Sequence, residues 1–259
     1  MLRRFLLLSI GLFFIALFAK AQQSGPGSWR AHLPFRSAIS VAEAGNRVYC
    51  ASRYSLFYYD RDDLSLNRLS KVNGLSDVDI STIRYAPDFK TLLVAYTNAN
   101  IDLITEDRII NISDIKRKNI FGKKTINAIF FLGRYAYLSC GFGIVVLDMD
   151  RHEVYDTYYI GPLGTSLEVH ELSWDGSDFW AATAKGIYRA EAANTNLANY
   201  EAWIKDTTLP FPDGQYTNIC RFRDVMIPSL EKEGYGDATL MVFDGTLWPN
   251  MLPGTANDY

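Results

Sequence analysis

The sequence is poor in the residues that build most reactive centres. Among 259 residues there are only three cysteines and three histidines. Cys50, Cys140 and Cys220 are odd in number and form no C-x-x-C spacing, which excludes a dithiol redox motif or a cysteine zinc site. Each falls in a strand pattern and reads as a small buried apolar residue. His32, His152 and His170 make no H-x-x-x-H pair. No G-x-S-x-G elbow and no glycine-rich phosphate loop occurs. Without a nucleophile, metal or phosphate-binding set, the chain is expected to be no enzyme and to hold neither metal nor cofactor.

Long apolar runs are also scarce. Residues 5–18 form one, behind Arg3-Arg4 and ahead of Ala19-Lys20-Ala21. It falls short of the roughly 20 residues that span a bilayer, and the pattern is that of a cleaved export signal over residues 1–21. No cysteine follows the cleavage point, so a lipid anchor is not expected there. The mature chain, residues 22–259, is expected to carry no transmembrane segment. Basic charge is short as well. Loss of Arg3, Arg4 and Lys20 leaves 23 basic and 29 acidic residues, a net charge of −6, which argues against a dedicated nucleic-acid binder. Sustained helical periodicity is absent throughout.

What is present is a repeat. Five times a β-run is followed by a three-residue link and a second β-run. The runs are residues 48–52 and 56–57, 93–97 and 101–102, 136–140 and 144–145, 179–183 and 187–188, and 239–243 and 247–248. An apolar pair opens each unit: Ile39/Ala42, Ile80/Ile83, Ile126/Ile129, Val169/Leu172 and Ile219/Phe222. Gly45-Asn46, Pro87-Asp88, Gly133-Arg134 and Asp175-Gly176 mark the turn into the second run. The links end on Asn100, Gly143 and Gly186, which tolerate positive φ; Ser55 and Thr246 depart from this. Fourth strands are expected at 66–69, 108–112, 153–159 and 200–204.

Four strands in about 40–45 residues correspond to one propeller blade. The predicted fold class is therefore all-β: an incomplete β-propeller of four-stranded antiparallel blades, with about four and a half blades over residues 22–259. The last unit is expected to stop after its hairpin, where Pro249 and Pro253 interrupt the strand pattern. Residues 29–35 resemble the end of unit four, near Trp203 and Leu209-Pro210-Phe211. They are expected to supply the outer strand of a final blade that this sequence lacks.

Candidate binding residues follow from that placement. Lys116, Arg117, Lys118, Lys123 and Lys124 cluster in the loop between units two and three. In a propeller such loops share one face with the hairpin links. Five cations there suit phosphate or carboxylate groups. Tyr54 and Phe142 lie in hairpin links on the same face and are candidate surface aromatics. Trp174, Trp180, Tyr188, Phe57 and Tyr58 recur at strand positions and read as inter-blade packing. Asp60-Arg61-Asp62-Asp63 lacks the glycine and distal glutamate of a calcium loop, as does Asp148-Met149-Asp150; both read as polar turns.

Asn73-Gly74-Leu75-Ser76-Asp77, leading into Ile80-Ser81-Thr82-Ile83, resembles the repeat of periplasmic regulator propellers of Bacteroidetes. Residues 45–51, 66–83, 98–104, 110–118 and 139–148 together are similar to the N-terminal β-propeller of the PorZ family of type IX secretion. The resemblance runs from about Trp29 to Trp203. It implies a non-enzymatic scaffold, exported to the periplasm or the outer-membrane surface. The implied partners are a sortase-like protease and an outer-membrane shuttle of the attachment complex, and anionic lipopolysaccharide as the ligand. It also implies a second propeller and a C-terminal secretion-signal domain in the whole protein. An alternative from another class is the ligand-sensing periplasmic propeller of a hybrid two-component histidine kinase.

Overall fold

The computed structural model describes residues 37–231, 238–243 and 245–251. The signal-peptide expectation and the 29–35 closing strand lie outside these residues. Within them the chain forms five antiparallel sheets in sequence order. Sheet 1 holds β1 (Ala38–Ala44), β2 (Arg47–Ser52), β3 (Ser55–Asp60) and β4 (Leu66–Leu69). Sheet 2 holds β5 (Ile80–Ala86), β6 (Thr91–Tyr96), β7 (Ile101–Ile104) and β8 (Ile109–Ile112). Sheet 3 holds β9 (Ile126–Leu132), β10 (Tyr135–Cys140), β11 (Gly143–Asp148) and β12 (Glu153–Tyr158). Sheet 4 holds β13 (Val169–Trp174), β14 (Asp178–Thr183), β15 (Gly186–Glu191) and β16 (Ile204–Lys205). Sheet 5 holds β17 (Tyr216–Phe222), β18 (Val225–Glu231) and β19 (Ala238–Leu240). This is the propeller architecture, left open.

Strand alternation builds the stack. Successive side chains point to opposite faces, so a central sheet must be apolar on both. On β6, Leu92, Val94 and Tyr96 enter the core shared with sheet 1, while Leu93 and Ala95 enter the core shared with sheet 3. On β14, Phe179 and Ala181 face sheet 3, and Trp180 and Ala182 face sheet 5. Four such clusters result, one between each pair of neighbouring sheets. First strands pack on first strands from β1 through β17, which places them at the axis.

Every first strand bulges at the same step. Register shifts skip Ile39, Ser81, Asn127, His170 and Thr217. A bulge bends a strand and raises its twist, as a strand crowded against an axis requires. Side chains staple the inner seam. Ser40 Oγ donates to Ile83 O at 3.2 Å, Asn127 Nδ2 donates to Val169 O at 2.8 Å, and Asn218 Nδ2 donates to Glu171 Oε2 at 2.5 Å.

The structure corrects the sequence reading in four places. The second strand of unit five is β18, not residues 239–243. Those residues form the third strand, with Met241 and Phe243 donating backbone hydrogen bonds to Pro228 O and Met226 O. Residues 249–251 then run as a partial fourth strand, through Val242 N to Pro249 O and Met251 N to Leu240 O. Pro249 is tolerated because it takes part through its carbonyl. In sheet 4 the fourth strand is only Ile204–Lys205. Tyr200–Ala202 forms a 3₁₀ turn instead, capped by Asn199, with Trp203 Nε1 donating to Leu197 O. In the sheet 2 link it is Ala99, not Asn100, that takes positive φ (61°). Finally, Cys220 is exposed, on the face of β17 turned away from the sheet 4 core, whereas Cys140 is buried as expected.

Candidate functional site

The connectors 70–79, 113–125, 159–168 and 206–215 join each fourth strand to the next first strand. They share one end of the molecule with the hairpin links. Ile80 N reaches Arg53 O, Thr97 N reaches Asp79 O, Gly141 N reaches Thr125 O and Gly186 N reaches Gly214 O. Gly141 must lack a side chain for this, since a Cβ there would sit 2.4 Å from Lys123 O.

The basic cluster lies in the second of these connectors. One helical turn, α1 (Asp114–Arg117), opens it and is pinned by Ile115, buried in the core between sheets 2 and 3. That anchor points Lys116 toward sheet 2, where its Nζ donates to Asp77 Oδ2 at 2.6 Å. Arg117 pairs with Asp114 at 3.0 Å, and Lys123 with Glu168 at 3.6 Å. Lys124 Nζ donates to the carbonyls of Lys116 and Lys118 at 2.8 and 2.6 Å, closing the connector on itself. Among the described residues, Lys118 alone of the five carries no ion pair or side-chain hydrogen bond. Three of the five charges are thus matched by carboxylates, and those of Lys118 and Lys124 are not.

Beneath the cluster is a polar network that the sequence did not suggest. Asp102, fully buried on β7, accepts from Tyr96 Oη (2.6 Å), Ser76 N (2.8 Å) and Asn111 Nδ2 (2.9 Å). Asp77 accepts from Asn98 Nδ2 at 2.8 Å and Asn100 Nδ2 at 3.3 Å besides Lys116. Burial alone would raise the Asp77 pKa. Lys116, Asn98 and the Val78 amide outweigh it and hold the carboxyl at about 2. The Asn73–Asp77 segment therefore works as a latch that ties the sheet 1 connector to sheet 2 and, through Lys116, to α1. The only sequence signal for it was the density of Asn and Asp around the sheet 2 link.

The two candidate aromatics part company. Tyr54 is 44% exposed, with the Arg53 guanidinium 6.0 Å from its ring centroid, and Arg53 pairs with Asp79. Phe142 is fully buried in the core between sheets 2 and 3, with Tyr159 at 6.0 Å. It packs, and presents no surface, because the adjoining connector folds over its link. Trp180 and Tyr188 are buried between sheets as expected, and Arg189 stacks 4.0 Å over Trp180. Phe57 lies on the opposite face of sheet 1 from its neighbours Leu56 and Tyr58.

The remaining acidic and histidine candidates sit in structural roles. Asp60 pairs with Arg47 at 2.9 Å, Asp62 accepts from Asn46, and Asp148 pairs with Arg134. His152 occupies a turn at positive φ, His170 a bulge, and His32 lies outside the described residues. Among the described residues no group of three or more His, Cys, Asp or Glu is placed to hold a metal ion, and no helix is long and apolar enough to cross a membrane.

Solved structures share this fold. PorZ of Porphyromonas gingivalis, described as an essential bacterial surface component of the type IX secretion system, superposes with a TM-score of 0.72 at 22% identity. The superposition covers 86% of this chain and 29% of PorZ, so the chain spans under a third of that protein. Extracellular domains of two putative hybrid two-component systems of B. thetaiotaomicron superpose with TM-scores of 0.58 and 0.61 at 13% and 14% identity. These cover 82% and 91% of this chain and 29% and 30% of theirs. No curated protein matches the sequence. The model of the type IX secretion PorZ N-terminal β-propeller domain matches residues 48–204, which hold sheets 2 and 3 and the basic connector between them, and the chain belongs to that family.

Proposed function

We propose that this chain is the propeller part of a non-enzymatic binding component of type IX secretion. It acts after export, at the periplasmic or outer face of the outer membrane, alongside a sortase-like protease and an outer-membrane shuttle. In this reading the 113–125 connector engages phosphate or carboxylate groups of anionic lipopolysaccharide. One observation carries it: the basic connector falls inside the segment that defines the family, and it is held rigidly by Ile115, Lys124 and the Asp77 latch. A preorganised cation cluster binds anions with less ordering cost than a floppy loop.

The ion pairs decide which cations do the binding. Lys116 and Lys124 serve the connector's own structure. Lys118 is free to bind, and the exposed Arg117 and Lys123 can exchange their partners for a ligand. Replacing Arg117, Lys118 and Lys123 together with Ala is expected to weaken binding of anionic lipopolysaccharide about tenfold or more at low salt, and less at high salt. Unchanged affinity in a surface-binding assay would remove the proposal.

The two-component sensor domains favour a second reading, a ligand-sensing propeller, by fold alone. The coding sequence beyond Tyr259 separates the two: a second propeller and a secretion-signal domain on one side, a membrane span and kinase domains on the other.

A further inference from the structure

Large apolar side chains stand exposed in every connector of this molecule. Each of the four connectors projects one large apolar tip that is more than half exposed: Val72 at 68%, Phe121 at 91%, Leu163 at 82% and Phe211 at 56%; Val78, in the first connector, is exposed at 45%. None of the four tips belongs to any inter-sheet core. Among the described residues the turns at the opposite end project Leu64 and Leu247, with Leu66 and Phe222 exposed at the adjoining strand ends. Leu163 adds a conformational clue. It takes φ 57° in Gly161-Pro162-Leu163-Gly164, a left-handed position that Gly or Asn would occupy with less strain. A leucine kept there, pointing at water, gains nothing in folding.

Charge differs between the two ends. Among the described residues, the connectors and links carry eight basic and six acidic residues, and the turns at the other end carry six basic and nine acidic. Two of the six acids, Asp77 and Asp206, are buried, so the outer layer of the connector end is more positive still.

We infer that the connector end docks on an anionic lipid surface. Val72, Phe121, Leu163 and Phe211 enter the acyl boundary, and Lys71, Lys118 and Lys123 rest among the headgroups. Tips carried one per connector lack the contiguous apolar centre that a protein interface is built around. A bilayer needs no shape match and accepts each tip independently, while basic residues at the same level add attraction to anionic lipid. The loops are braced for this: Ser166 Oγ donates to Phe121 O at 3.2 Å, tying the second connector to the third. The inference rests on the reading above in one respect, that this face meets anionic glycolipid, and it assigns the lipid part of such a surface to the apolar tips.

The test is flotation of the full-length protein with phosphatidylcholine vesicles, with and without about a third phosphatidylglycerol. Binding to the anionic vesicles only is expected. The F121S/L163N variant should bind about tenfold less, at unchanged circular dichroism and melting temperature, because both sites are exposed and Asn suits the left-handed position. Failure of the unaltered protein to float, or equal flotation of the variant, overturns the inference. Loss of self-association in the variant without any flotation assigns the tips to a protein interface and overturns it as well. A parallel assay with deacylated, soluble anionic polysaccharide separates the two readings. Polysaccharide binding without flotation leaves the glycan reading standing and defeats this one; flotation without polysaccharide binding does the reverse.

Discussion

Asp77 shows how one residue links folding to the basic connector. Its carboxyl is held at about 2, below the ordinary 3.8. A depressed native pKa contributes stability that is complete above the unfolded value and is lost as pH falls through the native one. The window is therefore from about pH 4 down to about pH 2, with up to about 2 kcal/mol at stake. Asp77→Asn should lower the urea midpoint at pH 7 by an amount equivalent to about 1–3 kcal/mol, leaving Lys116 without its partner. The difference between the two proteins should narrow below pH 3. A gap that stays constant with pH would rule out the ionised latch. This contact was illegible in the sequence because its partners stand 39 residues apart and meet only through the fold. The five cations were legible as a cluster. Their division into carboxylate-paired, carbonyl-bound and unpaired members was not, since carboxylates and carbonyls arrive from three separate elements.

At the scale of elements, the hairpin links carry the sharpest demands. Gly143 opens β11 at φ 150°, and a Cβ there would lie 2.2 Å from Tyr158 O. Gly133, in the turn between β9 and β10, has φ 57° and nothing within 4 Å of the same position. Gly143→Ala must displace the backbone of β12 and should cost at least about 2–3 kcal/mol, against about 1 kcal/mol for Gly133→Ala. Thermal melts of the two variants check the order, and equal losses would contradict it. Strands were readable where period-two alternation and tight links coincide, as in sheets 1 to 3. They were misread where a long segment replaces the tight turn. In sheet 4, residues 192–203 intervene between the third and fourth strands and leave β16 two residues long. In sheet 5 residues 239–243 are a genuine strand, but the third of the blade, and the fourth follows at 249–251 instead of 247–248; β18 carries Pro228 inside it, which hides its strand character.

For the whole molecule, the stack follows from arithmetic on the strands. Central sheets have apolar residues on both faces, so each core needs a neighbour on either side, and the sheets assemble in chain order. That arrangement separates the loops into two ends. Turns richer in acidic residues occupy one, and connectors with exposed apolar tips and lysines unmatched by carboxylates occupy the other. Blade architecture was legible because repetition exposes it. The character of the connector end was not, since Phe121 and Leu163 sit outside every strand period and nothing local distinguishes an exposed apolar residue from a buried one. The central claim is that this connector end is the working surface. Amide hydrogen exchange of the full-length protein with and without anionic lipopolysaccharide tests it most directly. Protection confined to residues 113–125 and 159–168, with the turns at 61–65 and 149–152 unchanged, is the predicted result. Protection at those turns, or none at the connectors under saturating ligand, would contradict it.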